Sequence, residues 1–355
     1  MKRGLSTTYA AFNTLLLIAG YVLVFVFAWQ KGTDEIISAL VGMVEGFVFA
    51  PIFHEMGHLF FAQIDKMEYV YFKAFCLRFV RQNGKVKFSL ASPFSPDQTQ
   101  VVPKCGGNMK KRAARYAIGG LFLEGAVLVV LLGGALTATL LGGEPFALWA
   151  MIPYFAYLFL LNAIPATYAS GKTDAAVYCG IKNGSDAEKN MIAAMEIQGQ
   201  LYEGKSFSMI DESWYFDQPQ LCEDEPLFAI MLDLRYRYYL EKGDFDNAAD
   251  QLNRLAQTQA YLSEEEVEKI AAELAYMHAI NGDLERASDC EKLCSGYLEE
   301  QSATIYRIQA ALAYLRGDMG NATAYINQAE QALKKERIKG NAEFERILLS
   351  RIKAE

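Results

Sequence analysis

The sequence predicts a mainly α protein in two parts. One is a polytopic membrane core of about four transmembrane helices with a membrane-associated β-hairpin; the other is a cytosolic α-solenoid. Three observations predict this. Four apolar stretches, about 9–29, 36–62, 115–141 and 146–169, each have roughly the 20 residues needed to cross a hydrocarbon core. A segment at about 69–92, rich in aromatic and β-branched residues, surrounds Asn83-Gly84. Beyond residue 200 a Gly-Asp phrase recurs at a near-constant interval. The expected division is 1–180 for the membrane domain and 181–355 for the repeats.

The first apolar stretch follows Lys2 and Arg3, as a cleaved signal peptide would. Its apolar run is too long for such a peptide, and Phe27-Ala28-Trp29-Gln30 lacks a small-x-small cleavage site, so a retained helix is expected. Residues 65–115 carry eleven basic and three acidic residues, a net charge of +8. By the positive-inside rule this loop faces the cytoplasm, as do Lys2 and Arg3. Four crossings then leave both termini and everything after residue 170 in the cytoplasm. Topology accounts for the basic loop, so no nucleic-acid partner is called for; the bilayer is the partner it implies.

The strongest chemical signal is His54-Glu55-Met56-Gly57-His58, inside the second apolar stretch. The chain has only three histidines, and two are here. Residues i and i+4 of a helix share a face, so both imidazoles can reach one Zn2+ ion, with Glu55 beside the metal-bound water. Pro51 lies three residues earlier and can kink that helix. Two histidines rarely complete a zinc site. Asp174 is the only acid between Glu144 and Asp186, and topology returns it to the level of His54 and His58, which makes it the expected third ligand. His278 falls in the repeats, where packing or solvation is expected.

Two more acids, Glu45 and Glu124, lie at membrane depth, where a carboxylate is costly and marks function or a hydrogen-bonded interhelical contact. Gly42-x-x-x-Gly46 predicts close packing, expected against the third helix with Gly119, Gly120, Gly125, Gly133 and Gly134. The hairpin is expected at the cytoplasmic membrane face, with its edges covered by protein or open to another strand.

After residue 200, Gly243-Asp244, Gly282-Asp283 and Gly317-Asp318 open matching phrases, with a degenerate copy at Gly204. The spacings are 39, 39 and 35 residues, and helices are expected from about 186 to 354. In each phrase the Gly would take the C-cap conformation and a following Ala would allow close helix contact. The six cysteines form no disulfide framework, and the Cys290–Cys294 pair lacks a second pair to hold metal, so reduced thiols are expected.

Together these features resemble the site-2 protease family of intramembrane zinc metalloproteases, over residues 36–180: an HExxH helix, a β-hairpin loop, a Gly-rich middle helix, and Asn162-x-x-Pro165 followed by Asp174. The resemblance implies His54, His58 and Asp174 as zinc ligands and Glu55 as the catalytic residue. It also implies that Asn162 and Pro165 help hold an extended strand of a membrane-anchored protein or peptide substrate, which pairs with the hairpin edge. Two departures stand out. Ala175 follows Asp174 where Gly is usual, and Gly119-Gly120-Leu121-Phe122-Leu123-Glu124 stands where a Gly-Pro-x-x-Asn pattern is common. The later half resembles tetratricopeptide repeats, which implies a surface for a cytosolic protein. The setting suggests a prokaryotic plasma membrane. Two other readings fit the same residues: an inactive membrane scaffold that binds a partner through its repeats, and a tethered peptidase for soluble peptides.

Overall fold

A computed structural model describes residues 3–82, 85–168, 171–223, 225–258 and 263–353. Contacts divide the chain into two compact units, one of residues 1–102 and 108–188, the other of residues 103–107 and 189–355.

The first unit begins with α1 (Arg3–Lys31) and α2 (Thr33–Ile64), which runs through Pro51 without interruption. A four-stranded sheet follows: β1 (Met67–Ala74), β2 (Leu77–Gln82), β3 (Lys85–Leu90) and β4 (Gln98–Pro103), in the order β3-β2-β1-β4. The expected hairpin is thus the antiparallel pair β2–β3, extended by antiparallel β1, while β4 covers the other edge of β1. The turn residues Asn83 and Gly84 lie outside the described residues. Register places Phe72, Phe79 and Phe88 in one row across three strands, on the face shared with Leu77 and Leu90. Buried Lys73 ties β1 to the connection before β4, donating to Asp97 Oδ1 at 2.8 Å and to the Ser95 carbonyl.

The third apolar stretch is not one helix. It breaks at Ile118 into α3 (Met109–Ala117), short and basic, and α4 (Gly119–Leu140). The break falls where charge gives way to two adjacent glycines, the weakest helix formers short of proline. Arg112 and Arg115 fix α3 to the end of α2: Arg112 donates to the Asp65 carbonyl, and Arg115 Nε donates to Asp65 Oδ2 at 3.0 Å.

Helix α5 (Phe146–Ala163) ends earlier than the sequence predicts, because Pro165 disfavours helical backbone at the residue before it. A two-stranded turn, β5 (Thr167–Tyr168) and β6 (Gly171–Lys172), leads to α6 (Asp174–Asn183). Ser170, between them, lies outside the described residues. Four helical segments are long and apolar enough to cross a membrane: Ser6–Lys31, Thr33–Ile64, Met109–Leu140 (α3 and α4 taken together) and Phe146–Ala163. Leu15, Leu23, Phe27, Val129 and Val130 are among their exposed side chains.

Helix α2 is central, packing against α1, α4 and α5. Its small residues meet two partners, not one. A Cβ on Gly42 would lie 2.0 Å from the Ala147 carbonyl oxygen, and one on Gly46 would lie 3.1 Å from that of Met151, so this glycine pair faces α5. The expected contact with the third apolar helix is made instead by Gly57, where a Cβ would lie 2.2 Å from the Gly119 carbonyl oxygen. From α1, the Tyr9 hydroxyl and the Asn13 amide donate to the α5 carbonyls of Leu160 and Tyr157, each at 2.8 Å.

The second unit is helical: α7 (Asp186–Glu203, which begins at the boundary), α8 (Ser213–Phe216), α9 (Pro226–Lys242), α10 (Phe245–Gln257), α11 (Glu264–Ile280), α12 (Leu284–Leu293), α13 (Ala303–Leu315), α14 (Met319–Leu333) and α15 (Lys339–Lys353). Helices α9–α10, α11–α12 and α13–α14 pack as successive pairs. Each pair turns at a Gly-Asp step: Gly243, Gly282 and Gly317 have φ of 78°, 76° and 75°. The following Asp244, Asp283 and Asp318 then cap the next helix by accepting from the backbone N–H three residues on. Ala248, Ala287 and Ala322 are buried behind these turns. The core centres on fully buried Arg307, which donates to Glu273 and Glu345 at 2.7 Å and lies 4.0 Å over the Tyr276 ring. Residues 103–107 join this unit through Glu196, whose carboxylate accepts from Gly107 N–H at 2.7 Å.

Candidate metal centre

The i, i+4 spacing on α2 puts His54 and His58 on one face, both buried, with rings edge to face and centroids 5.1 Å apart. Asp174, the first residue of α6, meets them. Its Oδ2 lies 3.2 Å from the Nε2 of His54 and 3.2 Å from the Nε2 of His58. The three ligand atoms all fall within 4.8 Å of one another. No other group of three metal-ligating side chains forms among the described residues.

The other nitrogen of each ring is already engaged. His54 Nδ1 is 2.9 Å from Glu124 Oε2, on α4, and His58 Nδ1 is 2.8 Å from the Tyr116 carbonyl oxygen, at the end of α3. Carbonyls and ionised carboxylates only accept, so with Glu124 ionised both Nδ1 atoms would carry the proton and both Nε2 atoms would present lone pairs. Asp174 Oδ2 is an acceptor too, buried and without a hydrogen-bond partner. Three acceptors therefore converge with no proton between them, which is the donor set a cation satisfies. A tetrahedron with arms of about 2.1 Å has edges of about 3.4 Å, close to the two 3.2 Å spacings from Asp174 Oδ2, so the residues fit zinc.

Glycine makes room for this arrangement. A Cβ on Gly120 would lie 2.6 Å from His58 Nε2 and 2.7 Å from His54 Nε2. Asp174 is held by Thr173, whose buried hydroxyl donates to the Ile164 carbonyl at 2.8 Å and accepts from Ala166 N–H at 3.1 Å and Ala176 N–H at 3.3 Å. That closes the loop between α5 and α6 at its neck and caps α6.

Glu55 is buried beside the ligands and accepts from the Thr99 hydroxyl of β4 at 2.5 Å. The Tyr116 hydroxyl donates to the Thr99 carbonyl at 2.5 Å, which ties β4 to the helix that orients His58. Of the residues the sequence singles out, the structure brings together His54, Glu55, His58, Asp174 and Glu124. It does not bring in Asn162, whose amide donates to its own helix at Leu158, nor Pro165, which is exposed beyond the end of α5. Glu45 and His278 lie outside the cluster. Thr99, Tyr116 and Thr173 had no assigned role, and Gly120 was expected only to pack against the second helix.

No protein-family model, curated protein or solved structure matches this chain.

Proposed function

We propose that the chain is an intramembrane zinc metalloprotease, resembling the site-2 protease family, that hydrolyses peptide bonds of membrane-anchored substrates near the cytoplasmic face. The observation that carries this is the convergence of two Nε2 lone pairs and a carboxylate oxygen beside Glu55, on helices apolar enough to cross a membrane. Zinc held there would polarise a scissile carbonyl and acidify a water molecule. Glu55 then takes the proton of the attacking water on its carboxylate and returns it to the leaving amine. Thr99 fixes which oxygen of Glu55 stays bonded to protein.

A helical substrate hides its peptide bonds, so it must unwind before attack. Strand β4 is the sheet edge that carries Thr99 to Glu55, which makes it the edge for an unwound substrate strand. A part for Asn162 and Pro165 in holding that strand rests on the family resemblance alone. The exposed apolar side chains Val86, Phe88, Leu90 and Phe94 support a sheet lying in the membrane face. The charge pattern supports cytoplasmic termini, and a two-histidine site joined to cytoplasmic repeats suggests a prokaryotic plasma membrane. The Gly-Asp helix pairs support a cytosolic tetratricopeptide-like solenoid that recruits the substrate or a cytosolic protein.

Zinc content of the detergent-purified chain, beside Asp174→Ala, tests the centre. About one zinc per chain, lost in the variant, is expected, together with cleavage of a bilayer-tethered peptide in preference to the same peptide free. A wild-type chain that takes up no zinc would leave a scaffold without chemistry.

A further inference from the structure

We propose that Glu124 is a positioning residue of this centre, one that makes His54 the more strongly oriented of the two histidine ligands. The inference rests on the metal-centre reading and extends it to a residue seventy positions from His54. Glu124 comes from the second turn of α4 and is fully buried, in a helix whose remaining side chains are almost all apolar. A carboxylate there is expensive and is kept only where it has a partner. Its partner is the inward ring edge of His54, with Oε2 2.9 Å from Nδ1. Oε1 is buried with no hydrogen-bond partner, so the carboxylate serves this one imidazole and nothing else among the described residues.

The two histidines are thereby supported unequally. His58 Nδ1 meets the neutral carbonyl of Tyr116, whereas His54 Nδ1 meets an acidic side chain. A charge-assisted hydrogen bond is roughly twice as strong as a neutral one, and a carboxylate behind an imidazole raises the basicity of its far nitrogen. His54 therefore presents the better donor and the more firmly held ring. Helix packing reinforces this: Gly57, Gly119 and Gly120 bring α2 and α4 into backbone contact, which brings Glu124 within reach of His54. A residue that merely glued two helices would not need to face the inward nitrogen of a ligand.

The test is zinc affinity of the full-length chain in detergent, read by competition with a chelator, with the cobalt-substituted absorption spectrum as a second readout. Glu124→Leu removes the acceptor and is expected to weaken zinc binding by about 10- to 100-fold. Glu124→Gln keeps an acceptor but loses the charge, and is expected to fall between that variant and wild type, with shifted cobalt bands reporting altered ligand geometry. Glu45→Gln, an intramembrane carboxylate outside the cluster, is expected to leave both readouts unchanged. If both Glu124 variants bind zinc within about threefold of wild type with unchanged cobalt bands, Glu124 is only an interhelical contact and the proposal is overturned, whatever happens to Tm. If wild type itself binds no zinc, the metal-centre reading fails and takes this one with it.

Discussion

Gly120→Ala should empty the metal centre while leaving the fold in place. The position is helical and outside the left-handed region, so alanine itself is welcome there; as a helix former it is favoured over glycine by about 0.5–1 kcal/mol. What the new methyl meets is the problem. It would lie 2.6 Å from His58 Nε2 and 2.7 Å from both Cε1 and Nε2 of His54, where ordinary contact begins at 3.4 Å. The rings would have to retreat by about 0.7 Å, several times the roughly 0.2 Å within which metal–ligand distances are held. They cannot swing freely, because Glu124 and the Tyr116 carbonyl hold them from behind. Overpacking of this kind costs about 1–3 kcal/mol, part of which the gain in helix propensity offsets, so Tm should change by only a few degrees. Zinc affinity should fall by about 100-fold or more. Metal analysis and chelator competition on the purified variant read the effect directly, with Gly133→Ala as the control, since a Cβ there meets nothing within 4 Å. A Gly120→Ala chain that binds zinc like wild type would refute the placement of the ligands.

Thr99→Val removes the hydroxyl that donates to Glu55, a bond to an ionised acceptor worth about 1.5–3 kcal/mol, so peptide cleavage should drop by about 10- to 100-fold with zinc content unchanged. Thr99→Ser should restore most of the rate, and equal rates for all three would show that Glu55 needs no help from β4. Thr173→Val breaks three hydrogen bonds at the neck of the Asp174 loop and should weaken zinc binding by about tenfold, with Thr173→Ser close to wild type; chelator competition checks it. In the second unit, Arg307→Ala leaves Glu273 and Glu345 buried without their cation and should cost about 3–5 kcal/mol by denaturant unfolding. Burial pushes Glu273 up, but Arg307 and Arg237 outweigh it and hold its carboxyl low. A depressed carboxyl contributes stability that is fully present above the unfolded value of about 4.3 and is lost as pH falls through the lower folded value. Wild type should therefore lose stability in that acid window, and a pH-independent unfolding midpoint there would contradict the network.

Much of this was legible because the relevant signals are local. A run of twenty apolar residues, a histidine pair four apart and a Gly-Asp step between amphipathic helices are set by geometry within one turn or one span. Asp174 was legible by a different route, since charge fixes topology and topology fixes depth. The partners were not legible. Gly42 and Gly46 announce a close helix contact, yet nothing within α2 says whether α4 or α5 fills it; the structure gives them α5 and leaves α4 to Gly57. Glu124 stood out as an acid in an apolar helix, but its pairing with His54 depends on the crossing of two helices. Thr99 carries no signal of its own, because a threonine on a strand is ordinary until the strand is seen to reach Glu55. The break at Ile118 was masked by the continuous apolarity on its C-terminal side.

The glycines explain why packing and chemistry cannot be separated here. Gly57 sits between His54 and His58 of α2, and its Cβ direction points at the Gly119 carbonyl; Gly119 in turn faces the Gly57 carbonyl and the Cα of His58. A close backbone approach of the two helices thus falls within one residue of His58. That approach brings Glu124 under His54 and, through the bare Cα of Gly120, leaves the space into which both Nε2 atoms look. A larger residue at Gly57 would spread the helices, and one at Gly120 would fill the site. The first change should lower stability and zinc affinity together, the second zinc affinity far more than stability. That difference separates a glycine kept for packing from one kept for the metal.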